Sequence, residues 1–157
     1  MSVICFNGVM EQLKIVRVQA YTPELAKSLA ELMGQLSDSY VASEVPKDRL
    51  EVIIASPDRM QLIAELHGQL VGAATLTLIA GIVATKVWLD DFIVSEDESV
   101  RGKGVGYALW NEMLAWGREK GASSMQFTSK PTRIAAQKFY ERQGARKRDS
   151  IPFKIDL

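Results

Sequence analysis

The chain has one cysteine, Cys5, and one histidine, His67. A lone cysteine excludes an intrachain disulfide framework and fits a reducing cytoplasm. One Cys and one His cannot build an N/S metal site, and no carboxylate spacing matches a calcium loop, so no metal is expected. Cys5 has no activating partner near it in sequence and is not expected to be a nucleophile. His67, beside Gly68, reads as a surface turn residue. Long apolar runs are missing too: none approaches the roughly 18–20 residues of a membrane span. Residues 1–11 have neither a basic n-region nor a sufficient apolar stretch for a signal peptide. A soluble cytoplasmic protein is the expectation. Excess charge of one sign is also absent, with 19 Lys/Arg against 19 Asp/Glu. No overall field would recruit nucleic acid or an anionic membrane. The basic residues Arg142, Arg146, Lys147 and Arg148 lack interleaved aromatics, so they read as a solvated face or an anion contact rather than a nucleic-acid surface.

What is present suits a single globular domain: 157 residues, 47% of them hydrophobic. Residues 1–78 carry six Lys/Arg against nine Asp/Glu, and residues 79–157 thirteen against ten, so an anion site belongs in the second half. Residues 1–12 show no periodicity and form a candidate N-terminal extension. Residues 13–20 alternate as a half-buried strand. Thr22-Pro23-Glu24 predicts a helix start, followed by Leu25, Leu29, Leu32, Met33 and Leu36 on one face. A weaker helix is predicted from Pro46 to about Ala55. Residues 61–66 and 69–78 flank His67-Gly68 as a hairpin. Residues 87–94 read as a strand, about 105–119 as a helix, 122–128 as a strand and 132–143 as a helix stopped by Gly144. Residues 146–157 supply one or two closing strands. This order predicts one mixed-sheet α/β or α+β domain, without repeats or linkers.

The strongest chemical signal is Arg101-Gly102-Lys103-Gly104-Val105-Gly106, between a strand and a helix. Glycines let successive backbone N–H groups converge, and the helix adds unpaired N–H groups and its positive dipole end. Arg101 and Lys103 add full charge, which makes a diphosphate cradle. The string GxxxxGK[ST] does not occur, and the glycines run as GxGxG, not GxGxxG, which excludes a P-loop and a dinucleotide fingerprint. Taken alone, the motif is also compatible with a solvated glycine turn.

In these residues the chain resembles the GNAT acetyltransferases. Their pyrophosphate motif [RQ]xxGxG is matched by Arg101, Gly104 and Gly106, and their A-x-x-[FL]-Y-x-x-x-G helix by Ala136, Phe139, Tyr140 and Gly144. The resemblance covers roughly residues 13–157. It implies the GNAT fold, a mixed, mostly antiparallel sheet of about six to seven strands flanked by about four helices. It implies acetyl-CoA as donor, no metal, and transfer of an acetyl group to a primary amine of a small molecule or protein. The implied cofactor-binding residues are Phe92, Ile93 and Val94 on the splayed central strand, the turn residues Arg101, Gly102, Lys103, Gly104, Val105 and Gly106, and Arg133, Ala136 and Phe139. Two departures stand out. The link at residues 95–100 is about two residues longer than usual and holds Glu96, Asp97 and Glu98, expected to point to solvent. Arg133 stands where many relatives have Asn.

The chemistry needs a neutral amine, a polarised thioester carbonyl, a held oxyanion and a protonated leaving thiolate. The resemblance gives the last task to Tyr140, whose other reading is a packed face with Ala136 and Phe139 at helical spacing. A backbone N–H at Phe92 or nearby is assigned to the carbonyl. Asp90 and Asp91 are the candidate bases. Strand alternation sends them to opposite faces unless a bulge intervenes, and a structural pairing with Lys or Arg is the competing reading. The family's acceptor region corresponds to residues 33–52, where Ser37, Asp38, Ser39, Tyr40, Ser43 and Glu44 suggest a hydrophilic amine. A CoA-binding sensor without turnover, or an enzyme using a longer acyl-CoA, is the alternative. A homodimer is compatible with the sequence.

Overall fold

Local signals account for most element boundaries in a computed structural model, which describes residues 13–36 and 40–157. Cys5, Ser37, Asp38 and Ser39 lie outside the described residues. The elements are β1 (Leu13–Arg17), α1 (Pro23–Leu36), α2 (Lys47–Ala55), β2 (Arg59–Leu66), β3 (Gln69–Ala80), β4 (Thr85–Val94), α3 (Val105–Glu119), β5 (Met125–Gln126) and α4 (Ile134–Arg142). Thr22 caps α1 as its sequence predicts, its hydroxyl accepting the Leu25 N–H at 3.1 Å. His67 and Gly68, with φ of 52° and 79°, make the tight turn between β2 and β3.

Contacts group the chain into two compact units divided after Phe127. The first holds one sheet in the order β1-β2-β3-β4-β5, antiparallel except for the parallel β4–β5 pair. Both faces are covered. Ile63, Ala73 and Ile93 pack with Ala26, Leu29 and Leu32 of α1 and Leu50 of α2. On the other face Gly72, one residue before Ala73, lies against Val105 and Leu109 of α3. This explains why residues 60–64 of β2 are buried without interruption: neighbouring side chains enter different cores. Each fully buried leucine, such as Leu62, Leu76 or Leu109, contributes about 1.5–3 kcal/mol. Arg17 ties β1 to α3, its Nε donating to Glu112 and its two terminal nitrogens to Glu119, all at 2.7–2.8 Å. These hydrogen bonds, the Glu119 pair foremost, raise the Arg17 pKa and lower that of Glu119.

The second unit contains α4. Gln137 Nε2 donates to the carbonyls of Lys130 and Pro131, pinning the segment that leads into the helix. The helix closes with the Ala145 N–H on the Tyr140 carbonyl and the Gly144 N–H on that of Glu141. Phe139 and Tyr140 meet edge to face, ring centroids 5.8 Å apart.

Two expectations need correction. The strand expected over residues 122–128 is only Met125–Gln126, and residues 146–157 form no strand, so the sheet of the described residues has five strands rather than six to seven. A strand requires a hydrogen-bonded neighbour, and no described segment pairs with 146–157. Their alternating apolar residues Ile151, Phe153, Ile155 and Leu157 are accordingly exposed. Among the described residues no helix is long and apolar enough to cross a membrane.

Gly72 marks the closest approach of α3 to the sheet. A Cβ there would lie 2.9 Å from Leu109 Cδ1, 3.1 Å from Val105 Cγ1 and 3.3 Å from the Ile93 carbonyl oxygen. Leu109 is fully buried, so its methyl could shift only within the packed core, and the Ile93 carbonyl is backbone. Gly72→Ala is therefore expected to cost about 1–3 kcal/mol by overpacking. Gly34→Ala, in α1 with nothing within 4 Å of the added methyl, should stabilise by about 0.5–1 kcal/mol. Urea unfolding of the two variants checks both signs.

Candidate functional site

β4 changes character halfway along. Its first half is paired on both sides, with β3 and, at Val87↔Met125 and Trp88↔Gln126, with β5. Beyond Trp88 no described strand pairs with it on the β5 side. On the other side the register with β3 slips: Thr75 pairs with Asp90 and Ala73 with Ile93, leaving Asp91 and Phe92 opposite Ala74 alone. That is a β-bulge. Asp91 takes φ of 47°, a conformation costing a non-glycine residue about 1–2 kcal/mol. Simple alternation therefore does not govern the two aspartates, and the bulge anticipated as the exception is what the strand contains.

The two carboxylates have different surroundings. Asp90 is exposed and accepts a hydrogen bond from the Trp88 indole on one carboxylate oxygen at 3.0 Å. Asp91 keeps a face open to solvent, yet protein atoms crowd it. Desolvation raises its pKa and the negative charge of Asp90 adds to this, while a hydrogen bond with Thr75 and the charge of Arg49 partly offset them. Phe92 packs against Trp110 of α3 at 6.2 Å, and Trp110 meets Phe127 edge-on at 5.7 Å. These rings make an apolar wall beside the bulge, and Ile93 is buried in the α1/α2 core.

The glycine turn follows six residues after β4. Gly102 and Gly104 have φ of 74° and 76°, and Gly104 is the left-handed N-cap of α3. The Val100 and Arg101 N–H groups donate to the Asp97 carbonyl and that of Lys103 to Val100. The Ala108 N–H closes the first helical bond on Gly104, at 2.9 Å. The N–H groups of Gly104, Val105, Gly106 and Tyr107 take no acceptor among the described residues. Four donors thus gather at the positive end of a 15-residue helix, with Arg101 and Lys103 exposed beside them. Val105 itself is buried and anchors the turn.

The lengthened link has its own order. Asp97 accepts the Ser99 N–H at 2.8 Å, and hydrogen bonding to Ser99, through its side chain foremost and its N–H second, holds the Asp97 pKa down. Gln35 of α1 accepts the Glu96 N–H at 3.0 Å. Glu96, Asp97 and Glu98 are exposed, as expected.

Arg133, Ala136, Phe139 and Tyr140 lie together in the second unit, Arg133 as the N-cap of α4 and the others along it. Burial raises the Tyr140 pKa and the Arg133 charge opposes that rise. No α4 residue is fully buried, which weakens the reading of Tyr140 as simply a core residue. In the acceptor region, the Tyr40 hydroxyl is enclosed without a hydrogen-bond partner among the described residues, while Ser43 and Glu44 are exposed. Among the described residues no group of three or more His, Cys, Asp or Glu is placed to hold a metal.

Sequence reasoning missed Gln61, Thr75, Trp88 and Arg49. The available signal was two uncharged polar side chains, Gln61 and Thr75, inside the two most apolar strands.

The fold is similar to that of several crystal structures. An aminoglycoside acetyltransferase from an uncultured soil metagenomic sample, in complex with sisomicin, superposes with a TM-score of 0.81 at 16% identity, covering 96% of this chain and 99% of that one. A transcriptional regulator from Bacillus halodurans C-125 gives 0.79 at 17% identity, over 92% and 99% of the two chains. Glucosamine-6-phosphate N-acetyltransferase from Arabidopsis thaliana gives 0.75 at 19%, over 92% and 99%. No curated protein sequence matches the chain. The model of the acetyltransferase (GNAT) family matches residues 29–145, a span that holds the bulged strand, the glycine turn and α4, and the chain belongs to that family of N-acetyltransferases.

Proposed function

We propose that this enzyme moves an acetyl group from the thioester of acetyl-CoA directly to a primary amine of a hydrophilic small molecule. The observation that carries the reading is the row of unsatisfied N–H groups from Gly104 to Tyr107, flanked by Arg101 and Lys103. Such an array suits a diphosphate, because hydrogen-bond donors, helix dipole and full charges all favour anionic oxygen there. Beyond Trp88, where no described strand pairs with β4 on the β5 side, the strand leaves a place for a pantetheine arm, with Val94 along it.

In the reaction the amine nitrogen attacks the thioester carbonyl, the C–N bond forms, the C–S bond breaks, and the nitrogen gives up a proton. Asp91 takes that proton, directly or through water: its raised pKa makes it a better base than an ordinary aspartate. A backbone N–H at Phe92 or its neighbour polarises the carbonyl. Tyr140 protonates the departing thiolate, a role assigned on the family motif. An ordinary phenol, pKa about 10, gives its proton to a thiolate of pKa about 8.5 at a cost of about 2 kcal/mol. Burial makes the step harder but keeps the phenol protonated, and Arg133 eases it. The polar character of Tyr40, Ser43 and Glu44 supports a hydrophilic acceptor. The amino-sugar acceptors named for two of the structural neighbours make amino sugars the first class to screen.

Isothermal titration calorimetry should show saturable acetyl-CoA binding. Arg101→Ala and Gly104→Ala should each weaken it about tenfold, or roughly 1.4 kcal/mol, while Lys14→Ala on β1 leaves it unchanged. Absence of binding by the unmodified enzyme would remove the reading altogether.

With an accepted amine in hand, Tyr140→Phe should lower kcat about 10²-fold with KM nearly unchanged. Asp91 works ionised, so kcat/KM should fall as pH drops through its raised pKa, giving an acid limb above the ordinary carboxylate range. Asp91→Asn should abolish that limb along with most of the rate. A pH–rate profile that is the same in both proteins would exclude Asp91 as the base.

A further inference from the structure

Residues 95–103 run from the end of β4 to the open N–H row of the glycine turn, and hydrogen bonds mark their path. The Ser95 N–H donates to the Val71 carbonyl of β3 at 2.8 Å. The Asp97 N–H reaches the Ser95 hydroxyl at 3.3 Å. The Asp97 carbonyl then takes the N–H groups of Val100 and Arg101 at 3.0 and 3.2 Å, and the Val100 carbonyl takes that of Lys103 at 3.2 Å. The Val100 side chain is buried beneath them. The tie at Glu96 is different in kind. Its N–H donates to Oε1 of Gln35, 61 residues away in α1, at 3.0 Å.

Gln35 is well placed to act as an anchor. It sits in the last turn of α1, where Leu32 is buried and Met33 and Leu36 pack against the core that also holds Ile93 of β4. The helix end and the strand end are thus fixed to one core, and the Gln35 amide spans from the first to the chain leaving the second. Its orientation follows from the partner: a reversed amide would set N–H against N–H. A link this long and exposed has many conformations to lose, and any that it keeps must be given up when the turn closes on an anion. A tie made beforehand removes part of that cost. We propose that Gln35 is a positioning residue for the glycine turn: by holding the Glu96 N–H it pre-orders the link that carries Arg101 and leads into the open donors of Gly104 to Tyr107. Its effect on cofactor affinity rests on the reading of that turn as the acetyl-CoA cradle.

The test pairs amide-proton exchange by NMR with calorimetry, both on the full chain. Gln35→Met keeps the reach of the side chain and removes the acceptor, whereas Gln35→Glu keeps an acceptor oxygen. In Gln35→Met the amide protons of Glu96, Val100 and Arg101 should exchange severalfold faster. Acetyl-CoA should bind that variant about fivefold more weakly, within the roughly two- to twelvefold that one ordinary hydrogen bond represents. The charge added by Gln35→Glu lies at the surface and is screened, so this variant should keep slow exchange at Glu96 and bind acetyl-CoA more tightly than Gln35→Met. Fast exchange at Glu96 in the unmodified chain would overturn the proposal. So would unchanged affinity in Gln35→Met, or equal weakening in the two variants. If the unmodified chain binds no acetyl-CoA, the cradle reading falls by itself. The exchange rates then decide the tether, which stands if Gln35→Met loosens Val100 and Arg101 while Gln35→Glu does not, and falls otherwise.

Discussion

The β-bulge at Asp91 and Phe92 is the constraint on which the site depends. Two residues of β4 oppose Ala74 of β3, and Asp91 is held in a left-handed conformation that its side chain does not favour. Such a conformation survives only where the surroundings over-determine it. Here β2 and β3 brace one side, Ile93 is sunk in the α1/α2 core, and the Phe92 ring rests against Trp110. The Gln61 amide caps the carbonyl at the irregular position. Without the bulge, Asp90 and Asp91 would simply alternate across the sheet. With it, Asp91 sits at the bulge among crowding protein atoms, while Asp90 accepts the Trp88 indole N–H.

The charges divide accordingly. Cationic groups and open N–H donors collect at the mouth of α3, and the acids of the preceding link stay at the surface. Asp97 shows how an acid can sit close to the proposed anion site. Its side chain folds back onto the Ser99 N–H, and its carbonyl takes those of Val100 and Arg101. Its backbone and side chain thus organise the approach to the turn. Its negative charge is exposed to solvent screening, whereas the helix-end donors converge on one spot.

Much of this architecture was legible because its causes are local. The hydroxyl of Thr22, the His67-Gly68 turn and the glycines ahead of Val105 each determine an element within a few residues, and α3 runs from Val105 to Glu119 as its pattern predicts. Failures came where pairing decides. Residues 146–157 alternate as a strand should, yet alternation describes side chains and says nothing of a partner for the backbone. The segment at 122–128 shrank to two residues for a related reason: β5 stays with β4 only as far as Trp88. The bulge was foreseeable as an exception to alternation but not locatable, since register is a property of two strands. Gln61 and Thr75 were not singled out for the same kind of reason: their meeting depends on the register of β2 with β3.

The two groups assigned to proton transfer are shifted in the same direction by the same cause. Desolvation raises both Asp91 and Tyr140, but the consequences oppose each other. A carboxylate gains proton affinity and becomes a more capable base. A phenol becomes a more reluctant acid, though one that stays protonated at neutral pH. Each has a counterweight: a hydrogen-bonding contribution from Thr75 and the charge of Arg49 partly offset the rise at Asp91, and the charge of Arg133 partly offsets that at Tyr140. Under the proposed mechanism Arg133 then has a chemical rationale that does not depend on contact with the pantetheine: a fixed positive charge acting on the phenol would stabilise the phenolate formed as the thiolate leaves, which an uncharged side chain at that position would not do.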